Sequence, residues 1–325
     1  MKGRIISISV ALLLLVALIY VSGPSKIAEV LVRTNLAIAA TGLIVMSCGA
    51  VVRTERWRYL LRSAGMNVPF FDAMKVYVAS LFISNVTPGK SGDPIRSVLL
   101  KKVSGNSVGA SLPSVIVERA LDVASMIVLG GIGLATVASS ATSSIMPLFI
   151  GAITVYVVAF AVALFSLSSE ARARWAVKKF SVIALRIPKI KDHVSRADGF
   201  MLKMQSSLAA YNNKKIIAVS LAYSLAVWAL EGVIFYIAFA SLGFSVGYMA
   251  VLAALCITTL ISVLTFLPGG IGSGEILMVA FLTAVTSLSM ADITAAAIVT
   301  RFLSYWVYVA AGAILLATMK YEYKV

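Results

Sequence analysis

Apolar runs that approach the length a bilayer demands of a helix, about 20 residues, recur along this chain, and the first is Ile5–Val21. A mean hydropathy of +0.98, with 60% hydrophobic and only 13% charged residues, lies outside the make-up of a soluble domain. The expected fold class is an all-α polytopic membrane protein, with residues 1–325 forming a single integral membrane domain.

Lys2 and Arg4 precede the first run, as in a signal peptide, but no small-x-small cleavage pattern follows. Ser22-Gly23-Pro24 reads as a turn after a retained helix. Six full spans are expected, at about 5–22, 36–53, 110–138, 145–167, 215–242 and 292–318. Basic loops stay in the cytoplasm. Arg53, Arg56, Arg58 and Arg62 follow the second span, Lys101 and Lys102 come later, and residues 168–215 hold 11 Lys or Arg against 3 acids. The intervening stretches 139–144 and 242–248 carry no charge. This pattern predicts a multi-pass protein of the cell membrane with both termini cytoplasmic.

Two segments interrupt the pattern. TPGKSGDP (87–94) separates Val76–Val86 from Ile95–Leu100, and TFLPGGIGSGE (265–275) separates Ile257–Leu267 from Ile276–Leu288. Both read Thr, then P-G-x-x-G, then an acid. Proline and glycine break helices, and freed backbone groups are tolerated at membrane depth only inside protein or beside a watery cavity. The charge pattern holds only if each segment enters and leaves by one face, as a re-entrant helical hairpin, the first from the cytoplasm and the second from outside.

Each hairpin is followed by a span with an arginine near its middle. Pro88 to Arg119 is 31 residues and Pro268 to Arg301 is 33. The expectation is two inverted repeats, about 36–138 and 215–318, a recurrent transporter design with half-helix ends near the midplane.

Embedded charge costs about 2.5 to 3.5 kcal/mol per residue unless paired or hydrated. Glu118 and Asp122 lie four apart with Arg119 beside them, Glu231 sits in an apolar run, Asp93 and Glu275 end the two loops, and Arg301 opens a stripe with Tyr305, Tyr308 and Gly312. Arg119 with Asp93 and Arg301 with Glu275 are the natural partners. These groups read either as structural ion pairs or as a site in which Lys90, Arg96, Arg119 and Arg301 line a pocket for an anionic head group. Glu118, Asp122 and Glu231 are the groups available to carry a proton.

Cys48 and Cys256 lie inside apolar runs and read as small buried residues. With His193 as the single histidine, no metal site, cofactor or activated nucleophile is expected. No G-x-x-x-x-G-K-[ST] motif is present. Within 168–214, Val194, Ala197, Met201, Met204, Leu208 and Tyr211 recur at helical spacing. Such a basic amphipathic segment lies on the bilayer surface or over the end of the bundle. With a net charge of +15, it suits anionic lipid rather than nucleic acid.

TPGKSGDPIRSVLL with IVERALDV, and FLPGGIGSGE with IVTRFLSYW, resemble the flippase-like transmembrane domain of lysylphosphatidylglycerol synthases and of many stand-alone bacterial and archaeal membrane proteins. The resemblance covers essentially the whole chain and implies movement of a lipid across the bilayer. In the synthases the domain is similar to a translocase for aminoacylated phosphatidylglycerol; other relatives are linked to lipid-borne sugars. Carried onto this sequence, it marks Pro88, Gly89, Gly92, Asp93, Arg96, Arg119, Pro268, Gly269, Gly272, Glu275 and Arg301. The soluble aminoacyl-transfer domain is absent from these residues, so lysyl transfer is not expected. Ser273-Gly274 stands before Glu275 where relatives often carry a basic residue, which affects the head group recognised.

The reading that combines residues and resemblance is a lipid translocase, not an enzyme, for a phospholipid or a polyprenyl-phosphate-linked sugar. Its partner is a membrane lipid with an anionic head group. Protein partners compatible with it are a second copy, a lipid-modifying enzyme or a glycosyltransferase. The alternatives are a membrane-embedded transferase acting on polyprenyl phosphate and an ion-coupled small-anion transporter.

Overall fold

A computed structural model describes residues 2–137, 146–147, 150–158, 204 and 206–323, and the ordered elements are helical. The first half contains α1 (Lys2–Ser22), α2 (Pro24–Val32), α3 (Leu36–Ser63), α4 (Phe70–Val86), α5 (Ile95–Ser104) and α6 (Val108–Thr136). The second contains α7 (Lys214–Ser241), α8 (Tyr248–Val263), α9 (Ser273–Val285) and α10 (Met290–Arg301), then a π-helical turn (Phe302–Trp306) and α11 (Val307–Tyr323). Residues 146–147 and 150–158 are helical, inside the expected fourth span, and the rest of that span lies outside the described residues. So does most of 168–214, including His193; of its amphipathic stripe, Met204 and residues 206–209 are helical.

Side-chain caps set several helix starts. Asn35 Oδ1 accepts from the Ala37 and Ile38 amides, both at 3.1 Å; Ser107 caps α6 and Asn213 caps α7. At α10, Ser289 and Asp292 exchange bonds in a capping box.

The structure corrects one of the expected spans and adds detail to two others. The chain does not simply turn after α1: Gly23, at φ 88°, joins α1 to a further helix, α2, at a bend of 85°. The second span does not end near residue 53, because α3 continues to Ser63 and carries Arg53 and Arg56 into the protein. The last span is interrupted just after Arg301 by the π turn.

Among the described residues, Leu36–Ser63, Lys214–Ser241 and Met290–Met319 are long and apolar enough to cross a membrane. Their apolar windows are only 22%, 28% and 28% buried, so most of that apolar surface needs lipid to cover it. The arms of the two interrupted segments are shorter. At 1.5 Å per residue, α4 reaches about 25 Å and α5 about 15 Å, less than the two full crossings a hairpin of spanning helices would require.

The halves have corresponding parts and exchange their contacts. Helix α3 lies against α7. The first hairpin's α4 packs on α11, which follows the second hairpin, and the second hairpin's α8 packs on α6, which follows the first. Glycines allow close approach: a Cβ on Gly312 would lie 2.6 Å from the Val78 carbonyl, and one on Gly133 would lie 2.7 Å from the Met249 carbonyl. An antiparallel bridge, Pro88 to Pro268, joins the hairpin tips.

Candidate functional site

The two tips are the same backbone device. Gly89 and Lys90 have φ of 58° and 55°, Gly269 and Gly270 have φ of 59° and 64°, and each pair is closed by a bond from the residue after it to the proline carbonyl, at 3.1 Å in both cases (Ser91 to Pro88, Ile271 to Pro268). Positive φ at both central residues marks a type I′ turn, which favours glycine. Lys90 stands at one of these four positions although a left-handed conformation costs a non-glycine residue about 1–2 kcal/mol.

The final glycine of each motif answers to packing. A Cβ on Gly92 would lie 2.6 Å from Thr87 Oγ1 and 2.9 Å from the Ile83 carbonyl, inside its own hairpin. One on Gly272 would meet α1, 2.7 Å from Leu14 Cβ. At Gly274 an added carbon would stand 2.9 Å from Arg301 Nη2, so the guanidinium would have to shift.

Each hairpin is tied to the helix after it by an arginine. Arg119 Nε lies 2.6 Å from Asp93 Oδ2, and its Nη1 lies 3.1 Å from Asp122 Oδ2. Arg301 Nε lies 2.5 Å from Glu275 Oε1, and its other nitrogens donate to the carbonyls of Gly269 at 3.0 Å and Gly270 at 3.2 Å. Glu275 also accepts from the Gly272 amide at 2.8 Å, so one carboxylate caps α9 and holds the arginine. The π turn begins at the next residue and sets Tyr305 beneath the Arg301 guanidinium, 5.4 Å from ring centroid to Cζ. Single π turns are frequent at functional sites.

Between the tips lies a cavity of about 150 Å³. Its lining includes four cationic side chains, Arg53, Lys90, Arg119 and Arg301, and two carboxylates, Glu231 and Glu275. Gly89, Gly269 and Tyr305 also line it, together with hydroxyls of Ser84, Thr258 and Ser262. Arg53 pairs with Glu231 across the α3–α7 contact. Lys90 is half-buried; among the described residues it makes no hydrogen bond or ion pair, and its charged neighbours are Arg119, Asp93, Asp122 and Arg53.

Not every residue singled out from the sequence reaches the cavity. Arg96 and Glu118 are 1% and 0% exposed and pair with each other at 3.0 Å, so Arg96 belongs behind the lining and not in it. Arg96 also lies 4.3 Å from the Tyr77 ring centroid, and Tyr77 donates to Glu118 at 2.9 Å. Asp93 and Asp122 hold Arg119 from behind. Pro88, Pro268, Gly92 and Gly272 shape the backbone. Glu118 and Asp122 are both committed to arginines.

Arg56 is the residue whose role the sequence hides. Read as a cytoplasmic charge, it is 0% exposed, with Nη1 2.5 Å from Asp122 and 2.7 Å from Ser224 Oγ, and Nη2 3.0 Å from Glu118. Its signal was spacing. Arg53 and Arg56 lie three apart, on one face of a helix that runs past them.

Residues 4–312 match the family described as the lysylphosphatidylglycerol synthase TM region. The chain belongs to this family. It is also similar to UPF0104 membrane proteins of archaea. One from Methanothermobacter thermautotrophicus is 25% identical over 318 residues, covering 96% of this chain and 94% of the relative. Another, from Pyrococcus horikoshii, is 24% identical over 326 residues, covering 97% and 96%. The family match takes in both hairpins, both arginines and the cavity between them, and the chain is a multi-pass membrane protein with a lipid-related family setting.

Proposed function

We propose that this chain is a lipid translocase that passes a phosphate-bearing head group through the cavity between the hairpin tips while the hydrocarbon tail stays in the bilayer. The observation that carries the reading is the cavity itself: four cations at the meeting point of two interrupted helical segments. Arginine and lysine in a confined space favour an anion, and guanidinium forks match phosphate oxygens. At about 150 Å³ the space has room for a head group with water. The apolar outer surface, including Leu13, Val16 and Ile314 at 67%, 64% and 65% exposure, offers the tail an environment like its own.

In this reading the repeats are inverted, the hairpins enter from opposite faces, both termini are cytoplasmic, and a small displacement between the halves exposes the cavity to one leaflet and then the other. The test is reconstitution into liposomes with fluorescent phospholipids or polyprenyl-phosphate sugars in both leaflets, followed by an impermeant quencher. Bleaching well beyond half in wild type, lost in folded Arg119→Ala and Arg301→Ala, is the expected result. Bleaching that stops at half for every lipid tried would overturn it.

A further inference from the structure

Charge in the protein centre is nearly, but not completely, balanced. Among the described residues, the ion-pair network around the cavity contains the carboxylates of Asp93, Glu118, Asp122, Glu231 and Glu275, and each is held by at least one arginine within 3.1 Å. Those arginines are Arg53, Arg56, Arg96, Arg119 and Arg301. Five of each sign cancel, and Lys90 is the cation left over. It lines the cavity and sits at a left-handed position, φ 55°, where the equivalent residue of the other tip is Gly270.

A lysine held half-buried, against backbone preference and without a partner, has an unmet demand for one negative charge. The neighbouring carboxylates, Asp93 and Asp122, are taken by Arg119 and Arg56, and a glycine would have suited the turn. Extra charge beyond one would again be uncompensated in the same confined space. We infer that Lys90 is the head-group anchor, and that it takes a singly charged phosphodiester in preference to a phosphomonoester or pyrophosphate. Arg119 sits beside it but has both sides committed to Asp93 and Asp122, so it orients the anion and Lys90 neutralises it. The inference rests on the translocase reading and names the ligand class for the same cavity.

The chain provides its own control. Lys90→Gly removes the charge and installs the residue of the second tip, relieving the backbone, so it is expected to melt no lower than wild type. Lys90→Arg keeps the charge. The three proteins, in a non-ionic detergent, would be titrated with phosphatidylglycerol, phosphatidic acid and diacylglycerol and examined by native mass spectrometry. Inorganic phosphate and glycerophosphoglycerol would serve as competitors.

Wild type should retain one phosphatidylglycerol in preference to the other two. Lys90→Gly should lose about tenfold or more of that affinity, the range of a charge-assisted hydrogen bond, and Lys90→Arg should keep much of it. Equal retention by wild type and Lys90→Gly would overturn the inference, as would a preference for phosphatidic acid. Displacement of the lipid by millimolar phosphate or glycerophosphoglycerol would identify a free anion as the ligand and overturn the lipid assignment. Liposome transport separates the two proposals: active wild type with an equally active Lys90→Gly defeats only the anchor, whereas selective binding without transport supports the anchor and defeats the translocase.

Discussion

Pro88 and Pro268 face one another in an antiparallel bridge, so chain reversals 180 residues apart in the sequence meet tip to tip. The contact brings Arg119 and Arg301, each fixed to its own hairpin, to one cavity. Neither half alone encloses that space.

The tips should therefore be sensitive to single methyl groups, and unequally so. At Gly269 an added Cβ would stand 2.6 Å from Tyr305 Oη, on a residue already left-handed at φ 59°; at Gly270 it would meet the movable Ser262 Oγ at 3.0 Å. Gly269→Ala should destabilise by about 2 kcal/mol or more and Gly270→Ala by about 1 kcal/mol. Thermal unfolding in detergent checks the order, and the double variant Gly269→Ala with Tyr305→Ala should recover part of the loss. No recovery would mean the ring is not the obstacle.

Glu118 should matter for stability more than for transport. It is enclosed with Arg56 and Arg96, and Glu118→Ala leaves buried guanidinium charge uncompensated, at a cost of about 3–5 kcal/mol. A melting curve indistinguishable from wild type would contradict the pairing.

Arg301→Lys should resemble Arg301→Ala in the liposome assay. The guanidinium reaches Glu275 and two tip carbonyls at once, a fork that a single ammonium does not reproduce. Near-normal bleaching in Arg301→Lys would show that charge alone suffices.

Tyr211, just before α7, gives a prediction for pH. Its hydroxyl donates to the Leu60 carbonyl at 3.0 Å, and burial pushes the phenol above its ordinary range. A raised phenol contributes stability that is present below the unfolded value of about 10 and is lost as pH rises beyond it. Tyr211→Phe should cost about 1 kcal/mol at neutral pH, and its unfolding should then be less alkali-sensitive than that of wild type above about pH 10. Parallel slopes for the two proteins would remove Tyr211 from the account.

The sequence by itself determined the helical membrane class, because long apolar runs need lipid and self-satisfied backbones. It also located both interruptions, since proline and glycine act on the backbone wherever they stand, and it suggested the Arg119–Asp93 and Arg301–Glu275 partners, because isolated charges in such runs need opposite ones nearby. Tertiary structure decided which charges reach the cavity. Arg96 lies in the same short stretch as Lys90, yet it is buried on Glu118 and Tyr77 while Lys90 has no partner among the described residues; Arg56, at the end of an apolar run, is drawn inward by two carboxylates from α6. Pairing is a property of positions brought together from distant segments, and residue type and spacing along the chain do not specify it. The meeting of the two tips is of the same kind, fixed by α4 packing on α11 and α8 on α6.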